Sequence, residues 1–173
     1  LLRIASETNK WHNLSKMPKY LAKLHEQGDL YYHDLDSYNL TINCLHIDTG
    51  RIFEKGFNTG YGTIRKPKRI ESAAELSCIL LQASQNDMFG GQSHVNFDND
   101  MAPYVTSTRD EIRTEYESLK ATLSEEAFND FIEQKLISRV RQAMQGIVYN
   151  LNTMHSRAGS QVPFSSLNIG LPE

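Results

Sequence analysis

Asn39-Leu40-Thr41-Ile42-Asn43-Cys44-Leu45-His46-Ile47 alternates apolar and polar side chains, the period-two signature of a strand. Counted from Tyr38, the strand carries Leu40, Ile42, Cys44 and His46 on one face. Cys44 has two readings here: a small buried hydrophobe, or a thiol presented to a polar ligand. Thr41 and Asn43 favour the second, because polar groups in a buried strand need hydrogen-bonding partners and a bound ligand can supply them.

Upstream lies the acidic-aromatic stretch Tyr31-Tyr32-His33-Asp34-Leu35-Asp36. Its spacing fits no zinc or calcium loop, and no His-Glu-x-x-His helix occurs anywhere. A turn whose Asp and His satisfy backbone groups explains it better, and His46-x-Asp48 is read the same way. Further upstream, Leu14, Met17, Leu21 and Leu24 mark one face of a helix, with Pro18 in its first turn near a Ser15 cap and Gly28 as its stop.

Downstream, Asp48-Thr49-Gly50 reads as a turn, and the segment to Pro67, with Gly56, Gly60 and Gly62, as a loop. Ser72-Ala73-Ala74-Glu75 reads as a capping box opening a helix to about Phe89, closed by Gly90. A second box, Thr108-Arg109-Asp110-Glu111, opens a charged, mostly solvated helix. Ser124-Glu125-Glu126 opens the longest helix, with acids at its positive end. Its stripe runs through Phe128, Ile132, Leu136, Val140, Met144, Ile147, Leu151 and Met154 at helical spacing, and Gly159 closes it. Val162 to Leu171 is a second strand, with Pro163 at its start where proline is acceptable. With no repeat and no low-complexity linker, the pattern is α/β.

The chain has 173 residues and a formal net charge of −3. That suffices for one cored domain or a piece of a larger one, and it argues against a nucleic-acid-binding surface or a polybasic membrane patch. No apolar run approaches the roughly 20 residues of a membrane helix, and no signal peptide is visible. Cys44 and Cys78 are too few for a disulfide scaffold or a four-cysteine zinc site, which suits a reducing cytoplasm. Cys78, inside an apolar helix, is expected to be buried and inert.

Two more segments carry polar groups suited to chemistry. Gly90-Gly91-Gln92-Ser93 follows a helix instead of feeding one, so it is no phosphate-cradling P-loop; Gln92 and Ser93 remain as candidate ligand contacts. Gln161-Val162-Pro163-Phe164-Ser165-Ser166 sets hydroxyls and an amide in an apolar strand, donors suited to phosphate oxygens. Arg157 is either an anion partner or the basic residue usual in a last helical turn. Nothing assembles a hydrolytic triad: there is no Gly-x-Ser-x-Gly elbow, and Cys44 has no histidine partner beyond His46.

Taken in order, Tyr32-His33-Asp34-Leu35-Asp36, Thr41-Ile42-Asn43-Cys44, Gly90-Gly91-Gln92-Ser93 with Phe97-Asp98 and Met101-Ala102-Pro103-Tyr104, and Asn152 through Asn168 run nearly end to end along the chain. Together they resemble the N-terminal half of the catalytic region of anaerobic (class III) ribonucleoside-triphosphate reductases. The resemblance implies an oxygen-sensitive glycyl-radical enzyme that makes 2′-deoxyribonucleoside triphosphates for DNA synthesis. The implied fold is a ten-stranded α/β barrel of two half-barrels, of which residues 1–173 supply the first strands and long helices.

In such enzymes a glycyl radical passes to a finger-loop cysteine, whose thiyl radical removes the ribose 3′ hydrogen, and formate is the usual reductant. Cys44 matches the second cysteine, which sits on the first barrel strand, faces the ribose and assists loss of the 2′ hydroxyl. The resemblance assigns Asn43 to positioning the sugar. It assigns Pro163, Phe164, Ser165 and Ser166 to the substrate side, and the polarity of Thr41, Gln92 and Ser93 adds them as candidate substrate contacts. The helices from Ser72 and Ser124 resemble the pair that packs against a second subunit, where a deoxynucleotide or ATP effector binds. The implied partners are thus a ribonucleoside triphosphate, nucleotide effectors, a second copy in a homodimer and a radical-SAM activating enzyme, with no direct nucleic acid and no membrane.

The finger loop, the radical glycine, the four-cysteine zinc module and the N-terminal nucleotide cone find no match in these residues. The expectation is therefore a fragment or one half of a split enzyme, inactive alone. A non-catalytic nucleotide-binding or dimer-interface module on the same scaffold is the alternative. A formate-lyase relative shares the barrel and ranks last, because it should carry other motifs around the first strand.

Overall fold

The computed structural model describes residues 2–38, 42–60, 62–86, 88, 90–155 and 162–170. It is a mixed α/β structure in which β1 (Leu45–Ile47), β4 (Gln92–His94) and β5 (Ser165–Leu167) form a parallel sheet in the order β1-β4-β5. Parallel neighbours need long crossovers. The first contains α3 (Thr49–Lys55), a small antiparallel hairpin of β2 (Phe57–Asn58) and β3 (Thr63–Ile64), and α4 (Ile70–Gln85). The second contains α5 (Phe97–Glu115), a 3₁₀ turn at Glu117–Ala121, and α6 (Glu125–Thr153).

The N-terminal region is two helices where the spacing predicts one. α1 (Leu2–Lys16) ends before Pro18, whose φ of −51° and ψ of 127° make it the extended residue that starts α2 (Lys19–Gln27). A proline ring excludes a helical hydrogen bond at its nitrogen and disfavours helix in the residue before it. Gly28 ends α2 as expected, at φ 83°. α1 is tied to the acidic-aromatic turn: Ser6 Oγ donates to Asp36 at 2.6 Å and Asn13 Nδ2 to the Leu35 carbonyl at 2.7 Å.

Several other boundaries move for identifiable reasons. Asp48-Thr49-Gly50 is a helix start, with the Asp48 carboxylate accepting the Arg51 N–H at 3.1 Å. Ser72 lies inside the first turn of α4, whose N-cap position is Arg69. The cap comes from another helix: the Thr108 hydroxyl accepts the Ile70 N–H at 3.0 Å and donates to the Tyr104 carbonyl at 2.7 Å. Thr108 is fully buried in the middle of α5, which begins at Phe97 and runs through Pro103, so it opens no helix. Ser124 caps α6 as expected, accepting the Ala127 N–H. α6 stops at Thr153, and Gly159 lies outside the described residues.

The core lies between one face of the sheet and the helices. Ile47 packs with Ala73, Ala74, Cys78 and Leu81 of α4, Phe97, Met101 and Tyr104 of α5, and Ala143 and Ile147 of α6; Leu45 and Leu167 flank it. Ile112, Phe128, Ile132 and Leu136 form a second cluster between α5 and α6. The stripe of α6 is thus consumed inside this chain as far as Leu151, while Met154 is exposed. Arg139 to Glu71 at 2.5 Å joins α6 to α4, and Arg109 to Glu133 at 2.7 Å joins α5 to α6.

His94 is the one histidine buried beneath the sheet among the described residues; it has no exposed surface, and its Nδ1 is hydrogen-bonded to the Thr49 hydroxyl. Burial pushes its pKa down to about 4, against an ordinary value near 6.5 in an unfolded chain. The unfolded state therefore binds the extra proton first. The stability is complete above pH 6.5 and is lost as pH falls through that window toward 4, by about 3 kcal/mol. Denaturant melts of wild type and His94→Gln across pH 4–7 check this. The difference between the two curves should fall with acidification, and a flat difference excludes the linkage.

Candidate active-site face

The sheet has two unlike sides because strand side chains alternate. Leu45, Gln92 and Ser165 are paired in register and turn toward the helical layer, as do Ile47, His94 and Leu167. His46, Ser93 and Ser166, the rank between them, face the other way. One step earlier the ladder continues through the Leu45 N–H to the Gly91 carbonyl at 3.1 Å and the Gln92 N–H to the Phe164 carbonyl at 2.9 Å. That brings Cys44, Gly91 and Phe164 side by side.

Cys44 is exposed, and it alternates with the inward Leu45. The strands are out of step just before it. Ile42 bridges Met88 while Leu45 pairs with Gln92, three residues on one side against four on the other. The extra residue is a bulge, a device that re-aims side chains at strand ends, and it falls between Met88 and Gly91, because Gly91 is back in register with Cys44. A β-carbon on Gly90 would overlap the Asn43 carbonyl oxygen and stand 3.1 Å from Cys44 Sγ. One on Gly91 would stand 3.1 Å from the Phe164 ring. Both glycines let neighbouring strands close around the thiol.

The open face therefore gathers Cys44 from the entry of β1, Ser93 from β4, and Phe164 and Ser166 from β5, while Asn43 is exposed at the same entry one residue before Cys44. Phe164 is 83% exposed, an unusual place for a phenylalanine. The other expected site residues lie elsewhere. Gln92 is 3% exposed and its amide donates to the Leu81 carbonyl of α4 at 2.8 Å, so it joins the sheet to the helices. Ser165 is half-buried on that same side, with its hydroxyl toward the Pro163 carbonyl at 3.3 Å, and Pro163 is buried. Thr41 lies outside the described residues.

His46 belongs to this face as well. It is exposed, and its Nδ1 lies 2.5 Å from the Ser93 hydroxyl. The sequence reading puts it on the Cys44 side of the strand and weighs it as a metal ligand and as a partner for Cys44, without giving it a part in binding a ligand. Among the described residues no group of three or more His, Cys, Asp or Glu side chains could hold a metal ion. Cys78 is 3% exposed in α4, where burial, with Glu75 nearby, pushes its thiol up to about 11. No described helix is long and apolar enough to cross a membrane.

The sequence model of the family described as "Anaerobic ribonucleoside-triphosphate reductase" matches residues 1–173. The chain belongs to the anaerobic ribonucleoside-triphosphate reductase family. It is 29% identical over 157 residues to the anaerobic ribonucleoside-triphosphate reductase of Escherichia coli strain K12, covering 90% of this chain and 21% of that protein. It is also 29% identical over 157 residues to the enzyme of that name from Enterobacteria phage T4, covering 89% of this chain and 25% of the phage protein. The chain thus spans about a fifth to a quarter of the length of these relatives. Of the segments that carry the resemblance, residues 32–36 are the turn before the sheet, residues 41–44 lead into β1, and those at 90–93 and 152–168 reach into β4 and β5.

Proposed function

We propose that these residues form part of the catalytic barrel of an anaerobic ribonucleoside-triphosphate reductase, with the open face of the sheet toward the ribose and Cys44 as the thiol that meets it. The observation carrying this reading is the bulged junction that leads into Gly91, with an exposed thiol in register beside it and Ser93, Phe164 and Ser166 on the same side of the sheet. In net terms the reaction replaces the ribose 2′ hydroxyl by hydrogen. The hydroxyl leaves as water, and formate supplies hydrogen and two electrons and departs as carbon dioxide.

The residues of this chain position and donate. The Cys44 S–H is a hydrogen source held on a hydrogen-bonded strand, where it cannot swing away from the sugar. Asn43 offers an amide to a sugar hydroxyl. Phe164 offers a flat apolar surface to the ribose or base and Ser166 a hydroxyl, while the buried Ser93 hydroxyl is turned to His46. Gln92, assigned to the substrate from sequence, acts through the scaffold instead by fixing β4 to α4. A glycyl radical, which the family resemblance places on another part of the polypeptide, would supply the radical chemistry that starts the reaction by way of a finger-loop cysteine. We place the zinc module outside this chain too, since its two cysteines stand apart, one exposed and one buried.

The α4–α6 pair is proposed to carry the effector and homodimer contacts. A groove of ≈ 530 Å³ runs between the two helices, lined in part by Gln142, Gln145, Tyr149 and Asn150, with Ile137, Val148 and Tyr149 exposed on the outer side of α6. Amides and a phenol suit a nucleoside better than its phosphates here, because Glu71 and Glu75 also line the groove.

Thiol accessibility tests the proposal. In the intact enzyme, maleimide should label Cys44 and leave buried Cys78 unmodified, and a saturating ribonucleoside triphosphate should slow Cys44 labelling at least about tenfold. Labelling of Cys44 at the same rate with and without nucleotide argues against a sugar lying on this face.

A further inference from the structure

His46 and Ser93 lie on different strands, 47 residues apart in sequence. The register His46↔Ser93↔Ser166 places them in one rank across the sheet, and no carboxylate belongs to that rank. Ser93 is 6% exposed and occupies the Nδ1 side of the ring, while His46 itself is exposed. The ring is therefore held at one nitrogen and open at the other.

We propose that His46 is a ligand-binding residue of the Cys44 face: its Nε2–H, oriented through Nδ1 by Ser93, donates to an acceptor oxygen of the bound nucleotide. This rests on the reading of Cys44 as the thiol facing the sugar. With the Ser93 hydroxyl donating to Nδ1, the proton of a neutral imidazole sits on Nε2; a protonated imidazole also donates there. Same-face neighbours on a strand are about 6.6 Å apart. A sugar seated on Cys44 thus brings its next oxygen-bearing group over His46, with the Ser166 hydroxyl as a second donor. That oxygen is either a second sugar hydroxyl or a phosphate oxygen. Both are acceptors, and they are separable by experiment.

The test uses the intact enzyme carrying this chain and three substitutions. His46→Gln keeps an N–H near the place of Nε2, and His46→Asn keeps a polar atom near Nδ1, within reach of Ser93, but none at the outer position. We expect His46→Asn and His46→Ala to raise the KM for the ribonucleoside triphosphate about tenfold, the worth of one hydrogen bond, with kcat changed less than about twofold. His46→Gln should keep a KM near wild type; His46→Asn should keep the wild-type melting temperature, while His46→Gln and His46→Ala should melt a little earlier because they take a partner from the buried Ser93 hydroxyl. The reverse order, with Asn near wild type and Gln impaired, assigns His46 a purely structural bond to Ser93 and overturns the proposal. So does a wild-type KM in all three.

Equilibrium binding of the nucleoside and of its triphosphate to His46→Ala identifies the oxygen. Weakened binding of both supports a sugar hydroxyl, and weakened binding of the triphosphate alone supports a phosphate. Cys44→Ser, assayed in parallel, separates the two levels of the argument. If that variant turns over normally, the reading of the face itself fails. If it is inactive while the His46 variants match wild type, only the role of His46 is lost.

Discussion

Cys44→Ser, in the intact enzyme that carries these residues, is expected to lower deoxynucleotide formation by about a thousandfold or more while leaving the fold in place. The substitution keeps size and hydrogen-bonding character almost constant and changes the strength with which the side chain holds its hydrogen. A hydroxyl gives up a hydrogen atom far less readily than a thiol, so a role in hydrogen donation is removed selectively. The position is exposed at the entry of β1, and surface exchanges of this kind shift stability by no more than about 0.5 kcal/mol. Cys78→Ser is the contrasting control. It places a hydroxyl at a site 3% exposed and should cost about 1–3 kcal/mol while leaving kcat of the folded enzyme intact. Retained turnover in Cys44→Ser, measured as deoxynucleotide formed per folded enzyme, would remove the proposed chemistry.

The two sides of the sheet explain what was legible in the sequence. Where one residue pattern meets one partner, the reading transfers directly. The α6 stripe from Phe128 to Leu151 is periodic because α4 and α5 cover it, and Ser124 caps that helix with its own side chain. Gly28 likewise ends α2 alone, by adopting a left-handed backbone. The two misread capping boxes share one cause, which is that the deciding partner is distant in sequence. Ser72-Ala73-Ala74-Glu75 has the spacing of a capping box, but Thr108 from α5 already satisfies the Ile70 amide, so the helix starts earlier. Thr108 looked like a helix start for the same reason: its hydroxyl is that cap, in the middle of a buried helix.

The site was half legible. Alternation in β1 correctly separated Cys44 from Leu45, and the polar residues near Gly91 and in Phe164-Ser165-Ser166 drew notice by composition. Which of them share a side required register. Gln92 and Ser93 are adjacent in sequence and point opposite ways, one into the Leu81 carbonyl and the other to His46. Ser165 and Ser166 divide in the same manner. Composition marks such a segment, whereas only the pairing of three strands tells its scaffold residues from those presented to a ligand.

Gly90→Ala should produce the second large effect, on stability and chemistry together. The bulge draws Gly90 so close to β1 that an added β-carbon overlaps the Asn43 carbonyl oxygen and sits 2.8 Å from its carbon and 3.1 Å from Cys44 Sγ. Two of those atoms are backbone, so relief requires moving the strand. Overpacking of this kind costs about 2–3 kcal/mol, or roughly 4–10 °C in melting temperature for a chain of this size. The strand that must move carries the proposed thiol. A displacement on the order of 1 Å in a reacting group can cost about a hundredfold in rate, so activity per folded molecule should fall by tenfold or more. Gly146→Ala provides the comparison. It adds the same methyl within α6, with nothing within 4 Å, and should stabilise by about 0.5–1 kcal/mol through helix propensity. The informative quantity is activity normalised to folded protein. If Gly90→Ala melts early but the surviving folded enzyme works at the wild-type rate, the glycine serves packing alone and the bulge does not aim Cys44. If both fall together, the close approach of β4 to β1 holds the thiol in its working position.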